Sequence, residues 1–245
     1  MLTIIVVVVI LVVAIASVAG WFLAPLAVRK FSERRLERRC REKRSIVLTY
    51  DDGPGKSLTP ALMELLSKHR VKATFFALGF RAEEKADTIR KIVEAGHELG
   101  SHTQRHLHAW KAGPTAVIDD IRRGRATIAH LGGNLSLFRP TYGKLTLGSL
   151  IWTVWRRIVL CWWTVDTRDS WAPRDIADVV AEIVRKGGGI VLMHDHESYS
   201  RVQGMTEKDR ADYVLAMTTA IIALAAERQF TLLRYSDLLD IPAIR

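Results

Sequence analysis

Two adjacent carboxylates, Asp51 and Asp52, end the β-rich run 46–50 and precede a Gly53-Pro54 turn. Successive strand residues point to opposite faces, but where the backbone bends at a strand end both side chains can reach one cavity. Two acids that close do not share an apolar pocket as two anions. A cation held by one, with the other left free, would separate their roles. Taken alone, Asp-Asp-Gly-Pro reads first as a surface turn; the downstream sequence overturns that. His102 and His106 lie four residues apart, a spacing that in a helical turn puts both rings on one face. Two imidazoles and a carboxylate make a three-ligand zinc set with positions left open for water and substrate. Other apolar runs also end in polar groups: Leu137-Phe138 leads into Arg139, Val165 into Asp166, and Leu192-Met193 into His194-Asp195-His196.

Such residues work together only if their strand ends share a rim. From Ser45 onward short apolar runs alternate with helical periodicity. The pattern predicts helices over 59–69, 87–95, 115–131, 175–185 and 208–228. It predicts strands over 71–78, 97–100, 137–139, 158–165, 189–194 and 230–233. Leu62, Leu65 and Leu66 give the first helix its apolar face, and Pro114 and Gly132 bracket the third. Gly187-Gly188-Gly189 reads as a helix stop rather than a phosphate cradle, because no Lys-Ser/Thr follows. The alternation implies an α/β fold with a largely parallel sheet or barrel, where polar residues at strand ends form the active-site rim.

The chain has 245 residues and a formal charge of +10. Residues 2–26 carry no charge and are rich in Val, Ile, Leu and Ala, long enough to cross a hydrocarbon core of about 30 Å. No Lys or Arg precedes them, which favours a retained transmembrane anchor over a cleaved leader. Residues 27–44 read as a basic juxtamembrane linker: 29–44 hold nine basic and three acidic residues and carry +6 of the total. This cluster suits anionic lipid head groups. Without interleaved aromatics it does not suit nucleic acid. The charge asymmetry predicts a single-pass membrane protein with its main domain, residues 45–240, in the cytoplasm; an extracytoplasmic domain is the alternative. Cys40 and Cys161 suggest neither a disulfide framework nor a zinc knuckle.

Together the residues carry a family resemblance. Residues 49–54 (Thr-Tyr-Asp-Asp-Gly-Pro), 102–106 (His-Thr-Gln-Arg-His), 139–143 (Arg-Pro-Thr-Tyr-Gly), 166–169 (Asp-Thr-Arg-Asp) and 192–194 (Leu-Met-His) resemble, in order, the five motifs of the polysaccharide deacetylases. This is the NodB-homology domain, or carbohydrate esterase family four. The resemblance covers residues 45–239. It implies a distorted (β/α) barrel that removes N-acetyl groups from N-acetylglucosamine-type sugars with a divalent metal, zinc or sometimes cobalt or another ion. Asp52, His102 and His106 would hold that metal. Asp51 would be the general base, oriented by Arg139. Tyr142 would offer a backbone N–H to the oxyanion. His194 would be the general acid, tuned by Asp166. Trp171 and Leu192 would line the acetyl pocket. The partner is then an N-acetylated glycan, with the membrane engaged through the N-terminal helix and basic linker.

Two departures stand out. Thr141 replaces a proline usual in the third motif, which predicts a less rigid turn. Ser170 separates the fourth motif's second aspartate from Trp171, through either a bulge or a reshaped pocket. Neither removes a ligand, base or acid. A silent sugar-binding barrel and a deacylase of another acyl group or non-sugar amide are the alternatives. His69, His97, His108 and His130 read as hydrogen-bonded or solvated, and His196 stays open. Trp152, Trp155, Trp162 and Trp163 read as core or membrane-surface residues before a sugar platform.

Overall fold

Strand β1 (Ser45–Asp51) is buried along its whole length, as a strand covered on both faces of a parallel sheet must be. The computed structural model describes residues 1–196 and 204–241, apart from the side chains of 2 and 13–17. Within them β1 pairs with β2 (Thr74–Ala77), β7 (Gly189–His194) and β8 (Thr231–Leu232). Beyond β2 follow β3 (Glu98–Ser101), β4 (Leu137–Phe138) and β5 (Val159–Leu160); beyond β7 lies β6 (Val165–Asp166). Every pairing is parallel. The edge strands β5 and β6 follow one another in sequence without pairing, so the sheet is a curled half-barrel.

The two-residue period of β1 separates two cores. Ile46, Leu48 and Tyr50 face the outer helices: α2 (Leu58–Lys68), α4 (Ala86–Glu94), α7 (Ile176–Lys186) and α8 (Glu207–Arg228). Val47 faces the inside of the curl with Phe76, Phe138, Cys161, Trp162 and Ile190. Thr49 and Asp51 continue that inner row upward, and the register sets Asp51 beside His194 and Phe76. The fold thus delivers the β1 carboxylate and the β7 imidazole to one rim.

Helix α1 (Leu2–Glu42) corrects the reading of the N-terminus. It is one continuous helix through both the apolar stretch and the basic stretch, with Pro25 inside. The stretch 27–44, read as a basic juxtamembrane linker, is helical as far as Glu42. Their Leu36 and Cys40 are buried in the inner core with Tyr235 and Leu238 of α9 (Tyr235–Leu239). The basic residues also have protein partners: Arg39 and Lys43 both bridge to Asp240, at 2.5 and 2.6 Å. Among the described residues no helix is long and apolar enough to cross a membrane. The expected transmembrane anchor, the membrane as partner and the single-pass localisation with a cytoplasmic or extracytoplasmic domain are not supported.

Three short helices escaped the periodicity: α3 (Gly79–Glu84), α6 (Leu147–Trp155) and α9. The predicted strand over 158–165 resolves into β5 and β6, two residues each. Between them the chain spans the mouth of the curl, tied by Cys161 N–H to the Phe138 carbonyl and by Thr164 N–H to that of Ile190. The remaining long helix, α5 (Pro114–His130), begins and ends within a residue of expectation.

Candidate active site

At the top of the inner row Arg139, fully buried just after β4, donates from Nη1 to Asp51 Oδ1 and to Thr49 Oγ1, both at 2.8 Å. Its Nε donates to the Cys161 carbonyl at 3.0 Å, and the guanidinium lies 4.1 Å from the Phe76 ring centroid. A buried charge on each side needs such pairing. The Arg139 carbonyl in turn meets Nδ1 of His102 at 2.8 Å. That contact assigns the proton to Nδ1 and leaves a lone pair on Nε2, which is directed toward Asp52.

Asp52 sits in the left-handed region at φ 71°, which aspartate tolerates better than most residues. Its Oδ1 lies 3.1 Å from His106 Nε2 and 3.4 Å from His102 Nε2. The histidines are not on a helical turn, as their spacing suggested. They lie on a loop in which Thr103 and His106 have φ of 71° and 60°, and left-handed kinks rather than a 3.6-residue period bring the rings together. Helix α5 shapes this loop. Buried Asp120 accepts from the N–H of Arg105 at 2.9 Å and of Leu107 at 3.3 Å, and its own carbonyl accepts from Gln104 N–H at 3.0 Å. Gly124 lets the helix close in: a Cβ there would stand 2.2 Å from the Thr103 carbonyl carbon.

The donor set fits a divalent metal. One ligand atom each from Asp52, His102 and His106 can lie within 4.8 Å of the others. Asp52 Oδ1 is buried without a hydrogen-bond partner, the condition a coordinated oxygen would meet. Burial works to raise the Asp52 pKa, but the imidazoles of His106, His194 and His102 outweigh it and hold the carboxyl below its usual range. Burial pushes His102 down, against the pull of Asp51 and Asp52. An anionic carboxylate and a neutral imidazole are the forms that ligate.

Across the cavity His194 Nδ1 bonds Asp169 Oδ1 at 2.8 Å, and the His194 N–H donates to Asp169 Oδ2 at 3.1 Å. The carboxylate partner is therefore Asp169, not the expected Asp166. Asp166 Oδ1 accepts instead from the Arg168 N–H at 2.8 Å, closing a turn that hands the imidazole to the second aspartate. Burial opposes the imidazolium, yet the charge and hydrogen bond of Asp169, with Asp52 and Asp51, push His194 up to about 9. Arg210 of α8, which the sequence reading passed over, is buried 3.4 Å from Asp169 Oδ2 and donates to the His196 carbonyl.

Residues 141–143 form one 3-10 turn, with Tyr142 left-handed at φ 56°. Thr141 makes up for the missing proline by donating from Oγ1 to the Leu107 carbonyl at 2.6 Å. The extra Ser170 is taken up by a second turn: Arg168 adopts φ 56° and its carbonyl accepts from the N–H of Trp171 and Ala172. Trp171 then still lines the cavity with Leu192, though half-exposed. This cavity, about 730 Å³, holds Asp51, Asp52, His102, His106, Tyr142 and His194. Asp166, Ser170 and His196 are also on its wall, with Phe80 and Arg81 from α3. Of the tryptophans in question, Trp163 lines it, Trp162 is core and Trp155 is exposed on α6. His97 is a hydrogen-bonded core residue, accepting from Ala73 N–H at 3.2 Å and pushed by burial down to about 4.

Comparison with known proteins places the chain in a family. The polysaccharide deacetylase family model matches residues 38–152. A peptidoglycan-N-acetylglucosamine deacetylase of Bacillus cereus is 33% identical over 154 residues, 61% of this chain and 72% of that protein. A chitooligosaccharide deacetylase of Bradyrhizobium sp. is 29% identical over 191 residues, 76% of this chain and 87% of that one. Among solved structures, the Bc1960 peptidoglycan N-acetylglucosamine deacetylase superposes with a TM-score of 0.71 at 25% identity, covering 84% of this chain and 92% of that one. The chain belongs to the polysaccharide deacetylase family, the NodB-homology domain of carbohydrate esterase family four.

Proposed function

We propose that the chain is a metal-dependent hydrolase that removes N-acetyl groups from N-acetylglucosamine-type glycans. One observation carries this reading: of two adjacent carboxylates, Asp51 is bound by buried Arg139 at 2.8 Å and only approaches His102 at 3.9 Å, whereas Asp52 lies 3.1 and 3.4 Å from two imidazoles. Asp52, His102 and His106 would hold the ion, zinc by the chemistry of two nitrogens and one carboxylate. When bound, the ion polarises the acetyl carbonyl and acidifies water. Asp51, oriented by Arg139, accepts the proton from the attacking water. The Tyr142 N–H faces the developing oxyanion. His194, its Nδ1 on Asp169, donates from Nε2 to the amine as it leaves. Trp171 and Leu192 enclose the acetyl methyl.

The test is acetate release by the full chain, loaded with zinc or cobalt and offered chitooligosaccharides or N-acetylated peptidoglycan. Release should cease with a chelator, return with metal, and fall by about 10² or more in Asp51→Asn. No release from either polymer by the folded, metal-loaded chain would overturn the reading.

A further inference from the structure

The N-terminal helix reaches the active-site rim through one side chain. Arg29 of α1 donates from Nη1 to the Gly143 carbonyl at 2.8 Å, across 114 residues of sequence. Its Nε is fixed by Glu33 one turn along the helix, at 2.7 Å. Its guanidinium carbon lies 4.5 Å from the Trp163 ring centroid and 5.4 Å from that of Trp162. Trp163 lines the cavity, and its ring also lies 5.8 Å from the Arg139 guanidinium. The arginine is thus held on three sides, and both Arg29 and Glu33 are about one-fifth exposed.

What it grips needs holding. Tyr142 and Gly143 are left-handed in succession, at φ 56° and 61°, and a non-glycine residue keeps this conformation only where the surroundings impose it. The Gly143 N–H goes to the Pro140 carbonyl and Thr141 Oγ1 to that of Leu107; the Gly143 carbonyl goes to Arg29. A Cβ at Gly143 would lie 2.1 Å from Arg29 Nη1, so glycine permits both the conformation and the approach. We infer that Arg29 is a positioning residue, clamping the turn so that the Tyr142 N–H stays directed at the oxyanion. This rests on the deacetylase reading above. It gives the second half of α1 a task in the reaction, where the sequence suggested only a basic tether.

The experiment uses the full, metal-loaded chain and compares wild type, Arg29→Ala and Arg29→Lys. The clamp acts on transition-state geometry, so Arg29→Ala should lower kcat about tenfold with KM within about twofold. Millimolar guanidinium should restore much of the loss, because the free ion can occupy the vacated stack; a variant that was merely unstable would be worsened by it. Arg29→Lys, which keeps a donor but loses the fork, should fall between. Hydrogen exchange at residues 141–144 should rise in Arg29→Ala. Wild-type kcat in Arg29→Ala, or a loss that guanidinium does not relieve and that follows Tm, would overturn the inference. Should the wild type release no acetate, the deacetylase reading fails separately, and unchanged exchange in Arg29→Ala would still refute the clamp.

Discussion

At the scale of single residues, the assignment of the acid's partner changed between sequence and structure. Asp166 is the last residue of an apolar run, where rim residues are sought, and that logic selected it. Asp169 lies three residues further on, and only the Arg168 turn shows which carboxylate reaches His194. The proposed base, its arginine and the three candidate ligands could be singled out in the sequence because each directly follows or ends a strand or sits in a distinctive spacing. Removing the two aspartates should therefore have unequal consequences. Asp169→Asn should lower kcat by about 10², within the span ascribed to acid–base groups; Asp166→Asn should cost much less. The pH profile separates partner from bystander. A general acid must be protonated, so its limb falls as pH rises through its pKa. His194 is held up to about 9 against burial chiefly by Asp169. Without that charge burial remains, and the alkaline limb should move to lower pH in Asp169→Asn. An unmoved limb, or equal losses in the two variants, would contradict the assignment.

At the scale of elements, α5 was recognised as a helix from its period, but its part in the site was not. In the structure Val117, Ile121 and Ile128 form its buried face. The sequence carries no sign that Asp120 on the same helix would accept two N–H groups of the histidine loop, since these are backbone groups, of Arg105 and Leu107, that no side-chain pattern marks. The same holds for Thr141, whose hydroxyl supplies through Leu107 the restraint that a proline ring would have supplied through φ. The helical-turn reading of His102 and His106 failed for a related reason: four-residue spacing is diagnostic only where the backbone is helical, and here α5 imposes a loop. Asp120→Ala should keep its helix, whose apolar face is untouched, yet release the loop. Metal affinity should fall about 10–100-fold, as for other residues that orient ligands, read by competition with a chromogenic chelator. Unchanged affinity would show that the histidines hold their geometry without α5.

At the scale of the whole molecule, the boundary drawn at Ser45 is crossed by packing. Composition marks 29–44 as basic and so as solvated, and half of those side chains are exposed. The two that decide the matter are Leu36 and Cys40, buried in the inner core with Phe138, Trp162 and Tyr235. A half-barrel with unpaired edges exposes its interior at the mouth unless something fills it, and α1 and α9 contribute side chains to that interior. Of the basic residues alongside, Arg39 and Lys43 turn to Asp240, and Arg29 to Glu33 and the Gly143 carbonyl. If α1 is part of the domain, Leu36→Ala removes buried methyl groups from the common core. It should destabilise the domain by about 2–5 kcal/mol, as large-to-small core substitutions do. Leu62→Ala on the outer core is the comparator. Both should shift one cooperative denaturant transition, followed by tryptophan fluorescence and by far-ultraviolet circular dichroism. Were α1 only attached at its end, Leu36→Ala would leave that transition in place while Leu62→Ala moved it. An equal shift would mean that the inner core continues through residue 36, and that the Arg29 clamp is carried by the same folded unit as the site it holds.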